Sequence, residues 1–404
     1  MAKNPMLKFV TDAQSYPEKR AADERTQDFA EIAANFAEEK AREQAARCSQ
    51  CGVPYCSVHC PVHNHIPDWL KLTAEGRLRE AYELSNMTST MPEICGRICP
   101  QDRLCEGNCV IETAGHGAVT IGAVEKYITD TAWEQGWVEP VQVGAATGLS
   151  VGVIGAGPAG LTAAEYLRRE GHEVHVYDRY DRAGGLLVYG IPGFKLEKEV
   201  VGRRVEGLVQ AGMHFHLGFE VGRDATFAEL RERHTAVLIA TGVYKARDIK
   251  MPGVGAPGIV KALDYLTASN RAGYGDAVPE HEDGSLLATG KDGIVIGGGD
   301  TAMDCVRTAL RQGAKSIRCL YRRDRDNMPG SPREVQNAED EGVEFVWLSG
   351  PIACEGTEHV TGVIYNRMRL GQPDASGRRA PEPEPDSETH APADLVIKAL
   401  GFDA

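Results

Sequence analysis

The stretch Val151-Gly-Val-Ile-Gly-Ala-Gly-Pro-Ala-Gly160 passes from an apolar strand pattern straight into a glycine turn, and a helical stretch to Glu170 then leads to a second apolar run, Val174-His-Val-Tyr-Asp178. Strand, glycine turn, helix and strand in that order predict a βαβ unit that binds a dinucleotide. Each position has a physical task. Gly155 permits the tight turn, Gly157 lets backbone approach a pyrophosphate, and Gly160 lets helix and strand pack closely, while the helix N-terminus attracts phosphate charge. Asp178, 23 residues after Gly155, is placed at the strand end to accept hydrogen bonds from ribose hydroxyls. Beyond it, Gly184, Gly185 and Leu186 form a segment where backbone can pass close to a bound cofactor.

The unit returns further along the chain. Gly293-Ile-Val-Ile296 precedes Gly297-Gly-Gly-Asp-Thr-Ala302, then a helix to Gln312, then Ser316-Ile-Arg-Cys-Leu-Tyr321. Gly297, Gly299 and Ala302 carry the glycine pattern with Ala in the third position, and Asp300 and Thr301 lie between them. Where the first unit ends on an acid, the second ends on Arg322 and Arg323. A carboxylate there would repel a 2′-phosphate, whereas guanidiniums bind one in fork geometry, so this site is expected to take NADPH. A third run, Ala236-Val-Leu-Ile239, is followed by Ala240-Thr241-Gly242. That triplet resembles the short turn by which flavoenzymes of this architecture leave their FAD domain, and the first site is expected to hold FAD.

Eight of the eleven cysteines lie between Cys48 and Cys109, as Cys48-x2-Cys51-x4-Cys56-x3-Cys60-Pro61 and Cys95-x3-Cys99-Pro100-x4-Cys105-x3-Cys109. Two sets of four thiols, with Pro after Cys60 and Cys99, match the ligand demand of two 4Fe-4S clusters. Structural zinc usually takes paired C-x2-C knuckles, and only Cys48 and Cys51 have that spacing. His59, His63 and His65 nearby are expected on the surface or behind the ligands, and Cys305, Cys319 and Cys354 as small buried hydrophobes. Residues 17–47, with Phe29, Ile32, Ala33, Phe36 and Ala37 at three-to-four spacing, predict a helix, as do 66–84 and 117–137. The stretch 138–149 marks a boundary. Residues 371–393, with Gly371, Pro373, Gly377 and Pro381-Glu-Pro-Glu-Pro-Asp386, read as an exposed loop.

Length and composition bound the rest. A chain of 404 residues has room for two or three domains, and 42% hydrophobic with 25% charged residues is ordinary for a soluble globular protein. The 44 basic against 58 acidic residues leave a net charge of −14, which argues against binding nucleic acid. No apolar run approaches membrane-spanning length, and clustered cysteines without a signal peptide predict a cytoplasmic protein whose thiols hold metal. No nucleophile, general-base dyad or hydrolytic metal motif is evident, so no catalytic side chain is expected and hydride transfer rests with the cofactors. NADPH gives up two electrons together while iron–sulfur clusters accept one at a time. Flavin does both, and the chain reads as a converter in which NADPH reduces FAD and single electrons leave through the clusters.

Two cysteine sets, an FAD fingerprint and an NADPH fingerprint in this order resemble the small (beta) subunits of bacterial NADPH-dependent glutamate synthases. The paired cysteine runs, Gly184-Gly-Leu-Leu-Val-Tyr-Gly-Ile-Pro-Gly-Phe-Lys195 and Gly297-Gly-Gly-Asp-Thr-Ala-Met-Asp304 carry the likeness over essentially the whole chain. The N-terminal part of dihydropyrimidine dehydrogenase and subunits of NADP-linked ferredoxin oxidoreductases look similar, so the module is shared. By resemblance the runs interlace, with Cys48, Cys51, Cys56 and Cys109 on one cluster and Cys60, Cys99 and Cys105 on the other. The dehydrogenase module uses a side-chain amide as the last ligand at a position matching Glu125, which makes Cys95 and Glu125 rivals here.

The resemblance further implies a large (alpha) partner subunit with FMN, which makes glutamate from 2-oxoglutarate and glutamine-derived ammonia. The amidotransferase of that family uses an N-terminal cysteine where this chain has Ala2, and an FMN barrel would need about 250 further residues. The runner-up is a subunit of a ferredoxin oxidoreductase or other diaphorase partner; a scaffold that merely kept the folds is hard to reconcile with eight spaced cysteines. The expected organisation is a helical iron–sulfur domain over 1–145, then two Rossmann-like domains arranged as in glutathione reductase. The FAD domain takes 146–250 and resumes at 391–404 through a strand at Leu395 to Gly401, and the NADPH domain, 251–390, is inserted. A second Gly-Asp element that the resemblance implies for the flavin would lie beyond Ala404.

Overall fold

A computed structural model describes residues 6–373 and 379–403, so Ala2 and Gly377 lie outside it. The expected α/β class with a helical N-terminal part holds. The chain divides into two compact units: residues 1–20, 31–188 and 195–242 make the first, and 21–30, 189–194 and 243–404 the second.

The first unit opens with helices α1 (Glu38–Ala46), α2 (Ile66–Ala74), α3 (Leu78–Asn86), α4 (Pro92–Ile98) and α5 (Ile121–Glu134). The apolar faces of α1, α2, α3 and α5 close on Ile66, Trp69, Leu70, Val124 and Ile128, and α4 packs against α5. The buried Trp69 indole donates to Asn64 Oδ1 at 3.0 Å, and the Asn64 amide donates to the Ser85 carbonyl at 2.7 Å, so the polar edge of the core is satisfied. The helix expected over 66–84 is split between α2 and α3 at Gly76, whose φ of +79° favours glycine. The helix expected over 17–47 contracts to α1 and a four-residue turn at Ala22–Arg25. Its apolar residues keep helical spacing but serve different neighbours: Phe36 joins the core around Trp69, whereas Phe29 lies against Phe194 in the second unit at 6.3 Å.

Strands β1 (Ser150–Ile154), β2 (Glu173–Asp178), β3 (His214–Leu217) and β4 (Ala236–Ile239) form a parallel sheet in the order β3-β2-β1-β4. Helix α6 (Pro158–Arg169) packs on β1 and β2. Helix α7 (Lys198–Gln210) supplies Arg204, whose guanidinium donates to both oxygens of the buried Glu93 in α4, at 2.8 and 2.9 Å. Asp130 of α5 takes Arg97 at 2.8 Å and Arg203 at 3.0 Å. These paired buried charges tie the cysteine-bearing helices to the sheet behind the first glycine loop. Helix α8 (Phe227–Arg233) begins with a capping box made by Thr226 and Glu229.

The second unit contains β5 (Lys245–Ala246), β6 (Ile259–Lys261), β7 (Asp292–Ile296), β8 (Ser316–Tyr321), β9 (Glu344–Trp347), β10 (Ser349–Glu355), β11 (Gly362–Pro373), β12 (Arg379–Pro392), β13 (Leu395–Lys398) and β14 (Phe402–Asp403). Helices α9 (Ala262–Gly273), α10 (Asp300–Arg311) and α11 (Pro332–Asp340) accompany them. A parallel sheet runs β6-β13-β7-β8-β9, and an antiparallel meander runs β10-β11-β12. Side chains alternate as the pleat requires: Val295, Ile317 and Cys319 face α10, while Ile294, Ile296 and Leu320 meet the meander through Val363 and Ala391. Cys305, Cys319 and Cys354 are buried in these two cores.

Two expectations are corrected here. The segment 391–404 does not return to the first sheet. Leu395–Lys398 pairs with β6 on one side and β7 on the other, and β14 pairs with β5, so the second unit continues from 243 and keeps this segment. The reason is apolarity on both faces: Leu395 and Ile397 fill the α10 side and Val396 the meander side, which a central strand of a covered parallel sheet demands. Within the stretch read as a loop, Arg379–Pro392 is a long strand paired with β11. Its alternating prolines are compatible with pairing because β12 is the edge of the meander.

Candidate functional site

The first glycine loop joins β1 to α6. Gly155 has φ +111°, and a side chain there would collide with the Ala240 carbonyl; one at Gly160 would collide with the Gly155 carbonyl. Gly157, the N-cap of α6, has only Gly185 Cα nearby, at 4.0 Å, which leaves the mouth of the helix open. Asp178 ends β2 with its carboxylate turned to this loop, accepting from the Ala156 amide at 2.7 Å and the Tyr180 amide at 2.9 Å. Gly184 donates to the Ala156 carbonyl at 2.8 Å, so Gly184, Gly185 and Leu186 lie along the same loop. Thr241 and Gly242 follow β4 on the other side of Gly155, exposed, with Gly242 at φ +69°. The structure thus gathers every residue expected around the first dinucleotide.

The second loop repeats the construction. Gly297 has φ +148° and a side chain there would collide with the Ala399 carbonyl, as one at Gly155 would with Ala240. Ala399-Leu-Gly401 is therefore the counterpart of Ala240-Thr-Gly242, a pairing that was readable in the sequence and shows why β13 belongs to this sheet. Gly299 caps α10 with nothing within 4 Å of where a side chain would stand, and Asp300, Thr301 and Ala302 form the first turn. The Asp300 carboxylate accepts from the Ser331 amide at 2.9 Å, and Gly330 donates to the Gly298 carbonyl at 2.9 Å, which ties the loop to the start of α11. After β8 the two arginines part. Arg322 is exposed, whereas Arg323 is buried and its Nε donates to the Arg379 carbonyl at 2.9 Å.

The cysteines fall into two groups. Cys51 and Cys109 are close enough to act electrostatically on Cys48, and Cys48 and Cys109 on Cys56. Burial first, then these neighbours, raise the Cys48 thiol and push Cys56 up to about 12. Cys60, Cys95, Cys99 and Cys105 form the second group, with Glu125 beside them. Burial, then Glu125, push Cys99 up to about 12, and burial with the charge of Glu93 pushes Glu125 itself up to about 8. Cys48, Cys56 and Cys99, so buried and crowded, are poor acids on their own, and a cation that displaces their protons relieves the crowding. The surroundings suit sulfur: the Gln50 amide donates to Cys48 Sγ at 3.3 Å, and Ser49 Oγ lies 2.9 Å from Cys51 Sγ. Arg47, wholly buried, donates to the carbonyls of Asp12, His116, Gly117 and Ala118, and so fixes the chain entering Cys48.

Comparison with known proteins decides the family. Residues 25–137 match the family described as dihydropyrimidine dehydrogenase domain II, 4Fe-4S cluster, and residues 149–404 match pyridine nucleotide-disulphide oxidoreductase. The glutamate synthase [NADPH] small chain of Azospirillum brasilense is 68% identical over 403 residues, covering 100% of this chain and 84% of that protein. The chain belongs to the family of glutamate synthase [NADPH] small chains. The Escherichia coli small chain is 47% identical over 401 residues, with 98% of this chain and 84% of its own length covered. Among solved structures, Mycobacterium tuberculosis FprA in complex with NADPH matches with a TM-score of 0.55 at 20% identity, over 63% of this chain and 71% of FprA, a likeness of fold. No helix among the described residues is long and apolar enough to cross a membrane.

Proposed function

We propose that this chain is the NADPH-oxidising small subunit of a glutamate synthase, which takes electrons from NADPH in pairs and delivers them singly to a large, FMN-containing subunit. The observation that carries this is the presence, in one chain, of two glycine-loop cradles of opposite ribose chemistry and two separate thiol groups. When bound, FAD would accept hydride from NADPH and two 4Fe-4S clusters would carry the electrons onward one at a time.

The chain's own residues bind and orient. Gly155, Gly157 and Gly160 with the α6 N-terminus would hold the FAD pyrophosphate, Asp178 the ribose, and Gly184, Gly185, Leu186, Thr241 and Gly242 the rim of that site. Gly297, Gly299, Asp300, Thr301 and Ala302 would cradle the NADPH pyrophosphate. Arg322, exposed at the end of β8, is the residue assigned to the 2′-phosphate, with Arg323 bracing the strand from behind. Cys48, Cys51, Cys56 and Cys109 would hold one cluster and Cys60, Cys99 and Cys105 the other, with Cys95 the fourth ligand because iron–sulfur chemistry favours soft thiolate and Glu125 the rival beside it.

Chemical analysis of the purified full-length protein tests this. About eight irons and eight acid-labile sulfides per chain are expected, falling by half in Cys56→Ser and in Cys99→Ser. Loss of iron in Cys95→Ser but not in Glu125→Ala would assign the fourth ligand. Four irons in the unaltered protein, or zinc in their place, would contradict the two-cluster reading.

A further inference from the structure

We propose that Glu173, His175 and His214 form a binding site for a divalent transition metal of the zinc type, on the face of the four-stranded sheet turned away from α6. Four of the chain's twelve histidines, His175, His214, His216 and His234, gather there. Glu173 and His175 are two residues apart on β2 and so share a face, and His214 is the direct register partner of His175 on β3. One carboxylate oxygen and one nitrogen from each ring all lie within 4.8 Å of one another. Tetrahedral zinc with arms of about 2.0 Å needs donors about 3.3 Å apart, and separations from 3.0 Å between Glu173 and His175 up to 4.8 Å reach that by ordinary side-chain adjustment. Glu173 and His214 are exposed and free to make it.

The ring between them is already oriented. His175 Nε2 faces Glu173 Oε1 at 3.0 Å, and its Nδ1 lies 3.0 Å from His216 Nε2. With Nε2 on the metal, Nδ1–H is left to donate to His216, the supporting contact that metal-bound imidazoles ordinarily make. His216 is itself stacked on Tyr177, with ring centres 4.5 Å apart and planes 11° from parallel. His234 closes the floor, held by Ser150 Oγ at 2.7 Å and Tyr177 Oη at 2.9 Å, and Gly152 leaves the space its ring occupies. Two imidazoles and one carboxylate leave a fourth position for water, and the donor set suits zinc better than calcium or magnesium. Such a metal would pin the edge strand β3 to β2.

The test is zinc binding to the full-length protein with its iron–sulfur clusters in place, followed by X-ray absorption at the zinc edge. Because the cysteines also attract zinc, the decisive signal is the coordination shell: nitrogen and oxygen at about 2.0 Å, without sulfur at about 2.3 Å. One zinc per chain is expected, with affinity falling about tenfold or more in His214→Ala and in Glu173→Gln, both at exposed positions. His216→Ala should also weaken binding, through loss of positioning. Zinc should raise the melting temperature of the unaltered protein and not that of His214→Ala. A sulfur shell, affinity in both His214→Ala and Glu173→Gln equal to that of the unaltered protein, or no binding at about 10 μM zinc would overturn the proposal.

Discussion

Replacing Glu341 by Gln should loosen the segment 21–30 from the rest of the second unit. Three guanidiniums converge on this carboxylate: Arg25 Nε at 2.8 Å, Arg307 at 2.8 and 2.9 Å, and Arg311 at 2.7 and 3.2 Å. The side chains of Arg307, Arg311 and Glu341 are 0% exposed and that of Arg25 is 3% exposed. Burial alone would raise the Glu341 carboxyl, but hydrogen bonds and charge from Arg307 and Arg311 overcome it and hold it at about 2, against an ordinary value of 4.5. A shift of that size corresponds to on the order of 3 kcal/mol, in line with the roughly 3 to 5 kcal/mol lost when one partner of a buried ion pair is removed. Arg25 loses most, because its remaining acidic partner, Asp340, is 3.7 Å away and partly exposed. Hydrogen exchange at the amides of Arg25, Thr26 and Gln27, which close the turn Ala22–Arg25, should accelerate about a hundredfold, since about 1.4 kcal/mol is tenfold. Unchanged exchange there, with an unchanged denaturation midpoint, would show that the cluster does not anchor this segment.

The same carboxylate sets an acid limit. Its folded value is depressed, so its contribution is complete above about 4.5 and is lost as pH falls toward about 2; urea midpoints of the unaltered protein should decline across that window more steeply than those of Glu341→Gln. Arg322→Ala should raise the KM for NADPH at least tenfold and leave that for NADH nearly unchanged, whereas Arg323→Ala should lower stability and affect both nucleotides alike; equal effects of Arg322→Ala on both would remove it from the 2′-phosphate site. Gly299→Ala has room, so its melting temperature should match the unaltered protein while NADPH binding weakens, because the added methyl enters the space in front of the α10 N-terminus. Gly160→Ala collides with the Gly155 carbonyl instead, and it should lower both stability and flavin content.

What the sequence disclosed depended on how local the signal was. Each glycine loop is a contiguous pattern whose residues touch one another, and the positions from Gly155 to Asp178 and from Gly297 to Ala302 stand where that pattern places them. The two cysteine runs were equally plain, but which thiols share a group depends on how the chain doubles back, with Cys109 beside Cys48 and Cys60 beside Cys99. Residues 17–37 misled because helical spacing is also satisfied by an irregular strand of chain that gives Phe29 to one unit and Phe36 to the other. Composition hid β12, since Pro and Glu alternation reads as a loop until a partner strand is known. The place of Leu395–Lys398 is legible in a repeat: Ala399-Leu-Gly401 follows it as Ala240-Thr-Gly242 follows β4, and the repeat assigns it to the second sheet. Arg322 and Arg323 could not be told apart, because adjacent residues at a strand end point opposite ways and only the tertiary structure shows which side is covered.

The central claim is that electrons from NADPH leave this chain through its iron–sulfur groups, and Cys105→Ser tests it most directly. The variant must first be shown to assemble with its large subunit. Reduction of artificial dyes by NADPH should then persist near the normal rate, since hydride transfer needs only the two nucleotide sites, while NADPH-dependent glutamate formation should collapse for want of a one-electron route. An assembled complex that lacks the cluster and still makes glutamate from NADPH at the normal rate would contradict the account.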